Sequence, residues 1–213
     1  MSQHCRATCP EEKEQRRHLI LDAAERLWLD DPERMANIAE IAQAAGLAKG
    51  TLYLYFRSKE ELLLAMHERH NSLFFDSVIQ RAGQDAPMAI EDMIGLIRGL
   101  LIATPAFLPL ATLCHGLMER HISLEIAYAF EERTHAHLDL VVAALQRHFP
   151  LLTQALMLQS YALILGLWQL LRPSPLKELM RQRELVCACT DDYLNALGLA
   201  LRALWRGALS TEG

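Results

Sequence analysis

The residues best suited to contact another molecule lie between 49 and 59. This stretch contains two lysines, Lys49 and Lys59, and two tyrosines, Tyr53 and Tyr55. Ammonium groups and phenolic hydroxyls both donate hydrogen bonds to phosphate oxygens, and contacts of this kind hold a protein on a nucleic-acid backbone. The pattern therefore indicates a phosphate-binding surface along a short helix.

Three more residues, Gly50, Thr51 and Leu54, fall on the outward side of the same helix. Glycine lets a backbone approach closely, and threonine offers a hydroxyl and a methyl group. An apolar residue such as Leu54 is unusual on a solvated helix face, but thymine presents a methyl group in the major groove of DNA. The outward face is therefore suited to reading base edges.

Two short helices joined by a tight turn must position these side chains. Residues 38–56 read IAEIAQAAGLAKGTLYLYF. Gly46 tolerates the positive φ of a turn, and Leu47 can fill the space between the helices. Leu52 and Phe56 share a buried face because they are four residues apart in a helix. This pattern predicts a helix-turn-helix, in which the second helix enters the major groove.

Helical patterns fill the rest of the 213-residue chain, so we expect an all-α fold. Asn37 and Glu40 have the spacing of a capping box at the start of the second helix. Ser58 and Glu61 have the same spacing at the start of the fourth. Helices are predicted at about 11–30, 38–45, 49–56, 59–81, 87–103, 106–119, 123–148, 151–171 and 191–209, with partial helix in a connector over 172–190.

Composition narrows the class of protein. A net charge of -5 and a pI near 6.0 exclude a polybasic coat protein, but they allow a local basic site.

Five scattered cysteines, an odd number, are typical of reduced thiols, so we expect a cytoplasmic protein. Phe149 to Leu171 is long enough to cross a bilayer, but its three glutamines favour the buried helix of a bundle.

The run from Ile41 to Leu63, which contains AGLAKGTLYLYFRSKEELL, resembles the signature of the tetracycline-repressor (TetR) family of bacterial regulators. At the level of the motif, the resemblance covers about residues 14–63. It implies a three-helix helix-turn-helix DNA-binding domain over 1–58, with a flexible lead-in at 1–12. A larger helical effector-binding and dimerisation domain would follow over 59–213. Ala48 departs from the family pattern, because Ser or Thr often caps the recognition helix there.

The resemblance also implies a homodimer on a palindromic operator, with one recognition helix per protomer in successive major grooves. Asn37 and Ile38 would meet the DNA backbone through N–H groups, and Arg16 and Arg17 would add phosphate contacts. Ordinary packing is the alternative for the two tyrosines, and a solvated helix face for the two arginines. The predicted DNA-binding residues are Asn37, Ile38, Lys49, Gly50, Thr51, Tyr53, Leu54, Tyr55, Lys59, Arg16 and Arg17.

The last helix carries an apolar stripe, and the 151–171 helix is apolar on nearly every side. Pairing both with their copies gives an intermolecular four-helix bundle, and the resemblance implies the same interface. The alternative is that both helices lie in a monomeric core. The stripe consists of Leu194, Leu197, Leu201, Leu204, Trp205 and Ala208.

Residues 88–140 are predicted to hold a pocket for a small-molecule effector. The excess of apolar residues favours a hydrophobic or amphipathic effector, and no cluster of Arg or Lys in this range suggests a strongly anionic one. For each candidate, the alternative is a plain core or surface role. The candidates are Phe107, Cys114, His115, Met118, His121, Phe130, His137, Tyr161 and Trp168.

These features together predict a ligand-responsive transcriptional regulator, by family default a repressor. The sequence has no HExxH, GxSxG or Gly-rich phosphate loop, so we expect no enzyme activity, no cofactor and no metal. His67 and His70, three residues apart, leave metal sensing as an alternative, whereas Cys187 and Cys189 lack the spacing of a redox or zinc pair. Two rival functions are an all-helical small-molecule carrier without DNA binding, and a regulator whose second half only dimerises.

Overall fold

The computed structural model describes residues 10–31, 36–183 and 192–210, and every regular element in those ranges is an α-helix. This confirms the predicted all-α fold. The predictions for Cys187, Cys189 and most of the lead-in at 1–12 lie outside the described residues. The helices are α1 Pro10–Asp30, α2 Ile38–Ala44, α3 Lys49–Leu52, α4 Lys59–Ala82, α5 Ile90–Ala103, α6 Phe107–Arg120, α7 Leu124–Leu145, α8 Gln154–Leu171, α9 Pro175–Gln182 and α10 Tyr193–Leu209.

The capping box and the glycine turn around α2 are confirmed. Asn37 Oδ1 accepts hydrogen bonds from the N–H groups of Ala39 (2.9 Å) and Glu40 (3.1 Å). The Glu40 carboxylate accepts in return from the Asn37 N–H at 2.8 Å. Gly46 has a φ of 69° at the turn after α2, a conformation that side chains disfavour. In contrast, the regular part of α3 ends at Leu52 and does not continue to residue 56.

α4 begins where the sequence predicts, but the hydrogen bonds at its start differ from those of the predicted capping box. Ser58 Oγ accepts from the Glu61 N–H at 3.1 Å. The Glu61 carboxylate accepts from the Arg57 N–H at 2.7 Å, one residue before the Ser58 N–H that a full capping box would use. The carboxylate therefore holds the chain just before α4.

Side-chain caps also explain the starts of the later helices. α8 begins at Gln154, not near 151, because Thr153 Oγ1 accepts from the Leu156 N–H at 3.3 Å. Asp192 Oδ1 accepts in the same way from the Asn195 N–H at 3.1 Å, so α10 begins at residue 193.

The chain packs as two compact units, and the first combines residues up to Arg69 with residues 105–130. Its core joins α1, α2, α3 and the first half of α4 to α6 and the start of α7. The Arg69 guanidinium forms ion pairs with Asp22 and Glu25, which ties α4 to α1. The core includes Ile20, Leu21, Leu52, Phe56, Leu62, Met66, Leu110 and Phe130.

The second unit combines residues 70–104 with those from 131 onward, and in it α10 packs on α8 and α5. Trp205 lies at the centre: its Nε1 donates to Ser160 Oγ at 2.9 Å, and Phe149 meets its ring edge-on. Leu197, Leu201 and Trp205 are at most 1% exposed. The prediction that the stripe faces a second copy is therefore wrong for these three residues, because they pack inside their own chain.

α8 is long and apolar enough to cross a membrane by length and composition, and 22% of its residues are buried. The predicted burial on all sides depends on a second copy, so it stays a prediction. Leu158 and Leu170 are each about two-thirds exposed. The predicted domain boundary at 58/59 coincides with the start of α4 and stays a prediction.

Candidate nucleic-acid interface

The recognition segment, residues 49–56, is one turn of α-helix followed by a tighter turn. After Leu52, the Leu54 N–H donates to Thr51 O at 3.1 Å and the Tyr55 N–H donates to Leu52 O at 2.9 Å. Both bonds span three residues, which is the spacing of a 3₁₀ turn. This tightening ends the regular α-helix early, yet residues 53–56 stay in a compact helical turn.

Some side chains of the recognition segment lie in the core and others on the surface. Leu52 and Phe56 are 0% and 2% exposed, whereas Tyr53 and Leu54 are 45% and 78% exposed. The two buried side chains anchor the segment, so the direction of the exposed pair is set by the core of the first unit. A single exposed leucine is ordinary on a protein surface. Its occurrence in one short segment with an exposed tyrosine and an exposed lysine is what indicates a binding surface.

The start of the recognition segment is open and positively charged. Lys49 is exposed and makes no ion pair with any residue that the structure describes. A Cβ added to Gly50 would meet no atom within 4 Å, and Gly50 does not have a positive φ. The fold itself therefore does not require glycine at this position. The free space is consistent with the close approach of another molecule, and Thr51 lies half-buried beside it.

Three of the predicted DNA-binding residues already make contacts within the fold. Tyr55 is half-buried against the core of the first unit. Its side chain therefore packs there at least in part, which is the alternative role considered from the sequence. The Ile38 side chain is buried, which leaves only its backbone to meet DNA. Asn37 already bonds the N–H groups of Ala39 and Glu40, so these two amides are not open to phosphate.

The predicted basic contacts from α1 and α4 are half-buried. The Arg17 guanidinium lies over the Phe56 ring, with Cζ 5.5 Å from the ring centroid, and its Nη1 is 3.6 Å from Glu14. Arg16 is half-buried on the same helix. Lys59 is half-buried and lines a cavity of about 10 Å³, room for a single water molecule.

The sequence prediction missed one basic residue beside this surface. Arg57 is exposed directly after Phe56, and its side chain makes no ion pair within the described part of the chain. The signal was present in the sequence, because Arg57 stands next to the motif. With Lys49, it places positive charge at both ends of the recognition segment.

The predicted effector residues are divided between the two units. In the first, Phe107 and Phe130 are buried with ring centroids 5.7 and 6.0 Å from that of His67, which the sequence analysis considered only for metal sensing. Cys114 is also buried, and burial raises its pKa to about 12, so its thiol stays protonated and unreactive. Met118 packs partly against this core, whereas His115 and His121 are exposed.

In the second unit, His137 is half-buried, with Nε2 3.0 Å from Asp76 Oδ1 and its ring edge-on to Phe75. Trp168 is half-buried with the Arg172 guanidinium over its ring, and Tyr161 is also half-buried. Within the described ranges, no three His, Cys, Asp or Glu side chains are grouped to hold a metal ion.

The fold and this surface define a helix-turn-helix protein, and comparison with known families agrees. Residues 20–66 match the family described as bacterial regulatory proteins, tetR family. Residues 68–212 match the tetracyclin repressor-like, C-terminal domain. The chain therefore belongs to the TetR family of bacterial transcriptional regulators, as the resemblance of the motif predicted.

Known relatives are similar in part of the sequence and in the whole fold. An uncharacterized HTH-type transcriptional regulator of Mycobacterium tuberculosis is 36% identical over 84 residues, which cover 39% of this chain and 38% of that relative. The solved structure of FadR from Bacillus subtilis in complex with stearoyl-CoA has a TM-score of 0.56 at 20% identity, covering 92% of this chain and 99% of that one. LfrR from Mycobacterium smegmatis in complex with proflavine has a TM-score of 0.53 at 18% identity, covering 93% and 99%. At such identities the two structures establish the fold alone.

Proposed function

We propose that this protein is a cytoplasmic repressor that binds a palindromic DNA operator through residues 49–56 and leaves it when a small molecule binds. One observation carries the proposal. Tyr53 and Leu54 face outward from a segment that the core anchors, and Lys49 adds an exposed positive charge without an ion pair at the start of the same segment. Tyrosine and lysine suit phosphate contacts, and an exposed leucine suits the methyl group of thymine.

The proposal includes a homodimer through the outward faces of α8 and α10. Leu158 on α8 and Leu199 on α10 are each about two-thirds exposed. Exposed alanines flank them, Ala155 and Ala162 on α8 and Ala203 on α10, so two backbones can approach closely. A second copy would cover these faces in a four-helix bundle. A two-fold dimer in turn requires an operator with two-fold symmetry.

A small-molecule effector completes the proposal, with residues 1–58 reading DNA and residues 59–213 sensing and dimerising. The two structural neighbours hold a small molecule each, stearoyl-CoA in one and proflavine in the other. Arg69 on α4 pairs with Asp22 and Glu25 of α1. A shift of α4 on effector binding would therefore move α1 and the recognition segment together. Such coupling is reciprocal, so operator DNA must weaken effector binding by the same factor.

Selection of bound sequences from a random DNA pool tests the proposal. An enriched palindrome is expected with the wild-type protein at moderate salt, and weaker enrichment with Tyr53→Ala. The protein should be unfolded and refolded before a second round, because a copurified effector would hold it in the released state. If no sequence is enriched after refolding, the repressor function is wrong and the chain acts as a carrier of small molecules.

A further inference from the structure

Trp28 on α1 has a buried indole N–H that no protein atom accepts. The residue is 8% exposed, and its Nε1 makes no hydrogen bond with any residue that the structure describes. A donor that loses its water on folding and finds no acceptor destabilises the fold. Native proteins rarely leave such a group unpaired, and ordered water is a usual partner. The Trp28 indole therefore points to an acceptor that is not part of the protein.

Trp205 shows how this chain satisfies its other fully buried indole. It is 1% exposed, and its Nε1 donates to Ser160 Oγ at 2.9 Å. A hydroxyl group on a packed helix is thus the acceptor there. Trp28 has no equivalent, because none of the described residues that line a cavity with it carries a hydroxyl group.

The cavity that Trp28 lines has the size of one water molecule. Its volume of about 10 Å³ is near the smallest that holds a water, and it is too small for a carboxylate or a phosphate. Helices α1, α2 and α4 of the first unit all contribute to its wall. Ala24, Ile41 and Met66 are among the lining residues and are at most 7% exposed. The cavity therefore lies in the core of the unit that carries the recognition segment.

The polar side chains of the lining are mainly donors. Trp28 offers one N–H, and the ammonium group of Lys59 has three donors, so it can bond more than one partner. The thioether of Met66 is a weak acceptor. The occupant must therefore accept two hydrogen bonds and be no larger than a water molecule. Water meets both conditions through its two lone pairs.

We propose that this cavity binds one water molecule, which accepts hydrogen bonds from Trp28 Nε1 and from the Lys59 ammonium group. The water satisfies the buried indole and joins α1 to the first residue of α4. It also holds Lys59, a predicted phosphate contact, against the core. The site belongs to the folded chain without DNA, so it does not depend on the proposed function.

A crystal structure of the full chain, at a resolution that shows ordered water, tests the site directly. A water oxygen is expected about 2.7–3.2 Å from Trp28 Nε1. Trp205 Nε1 is the internal control and should have no water, because Ser160 Oγ already accepts its bond. Trp28→Phe removes the donor and should lose the water. An empty cavity in the wild type, or an indole N–H bonded to a protein oxygen, would overturn the proposal.

Crystals grown in sodium bromide distinguish water from a halide ion, which could also accept from two donors. Bromide scatters anomalously and water does not. We expect no anomalous peak in the cavity. A peak at this position would make the occupant a halide and overturn the proposal.

Lys59→Met tests the second hydrogen bond, because it removes the ammonium group and keeps an unbranched side chain. The occupancy of the water should fall in this variant. Lys49→Met is the matched control: Lys49 is exposed and does not line the cavity, so the water should be unchanged. Equal occupancy in both variants would overturn the bond from Lys59.

A measurement on the wild type covers the case in which Trp28→Phe loses its helical circular dichroism. The chain has three tryptophans, so NMR of protein with ¹⁵N-labelled tryptophan gives three indole signals. Trp168→Phe removes one and Ser160→Ala shifts that of Trp205, which leaves Trp28 assigned. Magnetisation should pass from water to the Trp28 indole proton with opposite sign in the laboratory and rotating frames, as from a bound water. Absence of this transfer would overturn the proposal.

Discussion

The guanidinium carbon of Arg17 lies 5.5 Å from the ring centroid of Phe56, which joins α1 to the end of the recognition segment. Phe56 is 2% exposed and anchors the turn that carries Tyr53 and Leu54. The sequence predicted a phosphate contact for Arg17. The geometry instead gives its cation the face of a buried ring, so its first effect is on the stability of the DNA-reading turn.

Arg17→Ala is therefore expected to lower the free energy of unfolding by about 0.5–1 kcal/mol, the typical contribution of an exposed cation–π contact. The slope of operator affinity against salt should not change. Lys49→Ala is the control, because loss of a phosphate contact should reduce that slope by about one ion. Titrations at several salt concentrations would measure both. A reduced slope for Arg17→Ala would mean that Arg17 binds phosphate after all.

Gly50→Ala tests whether glycine at this position is required for DNA binding and not for the stability of the fold. The new Cβ meets no atom within 4 Å, and alanine is favoured over glycine in a helix by about 0.8–1.0 kcal/mol. The melting temperature of Gly50→Ala should therefore stay the same or rise. Operator affinity should fall about tenfold, which is about 1.4 kcal/mol, because a side chain would fill the space into which DNA approaches.

Gly46→Ala is the matched comparison for Gly50→Ala. The φ of 69° at Gly46 disfavours a side chain, so this variant should lose about 1–2 kcal/mol of stability. Thermal unfolding and gel-shift titration measure the two quantities. Unchanged operator affinity in Gly50→Ala would show that DNA does not approach this glycine.

Tyr53 offers a test of the outward face, because 45% of it is exposed and its removal costs the core little. Tyr53→Ala should weaken operator binding by at least about 1 kcal/mol and leave the oligomeric state unchanged. Tyr53→Phe retains the ring and removes only the hydroxyl. If Tyr53→Phe binds as weakly as Tyr53→Ala, a hydrogen bond to phosphate accounts for the loss. Wild-type affinity in both variants would remove Tyr53 from the interface.

The parts of the site that the sequence could predict depend on local rules. Asn37 and Glu40 form their capping box, and Gly46 takes a positive φ, because each arrangement needs only residues a few positions apart. The burial of Leu52 and Phe56 follows in the same way from helical spacing.

The parts that the sequence could not predict depend on which elements meet. Helical spacing identified the stripe containing Leu201, but it could not say whether the partner was a second chain or the α8 and α5 of the same chain. Glu91 and Arg202 form an ion pair, but they are too far apart in sequence for any spacing rule to join them. The early end of α3 results from the hydrogen bonds of a single turn, which propensity does not resolve.

The dimer interface can be tested because α10 has two different apolar faces. Leu158→Glu with Leu199→Glu places charges on the exposed faces of α8 and α10. This double variant should remain helical and sediment as a monomer. Leu201→Glu, in contrast, buries a charge within the chain's own core and should cost several kcal/mol of stability. A dimer that survives the double substitution would place the interface elsewhere.

The buried hydrogen bond from Trp205 Nε1 to Ser160 Oγ should set much of the stability of the α8–α10 pair. Ser160→Ala leaves the indole N–H without its acceptor in a position where Trp205 is 1% exposed. An unsatisfied buried donor costs about 1–3 kcal/mol, which for a chain of this size lowers the melting temperature by about 2–12 °C. In a Trp205→Phe background, where the donor is absent, Ser160→Ala should cost clearly less. Calorimetric melting of the two single variants and the double variant measures this coupling, and strictly additive effects would show that the bond contributes nothing specific.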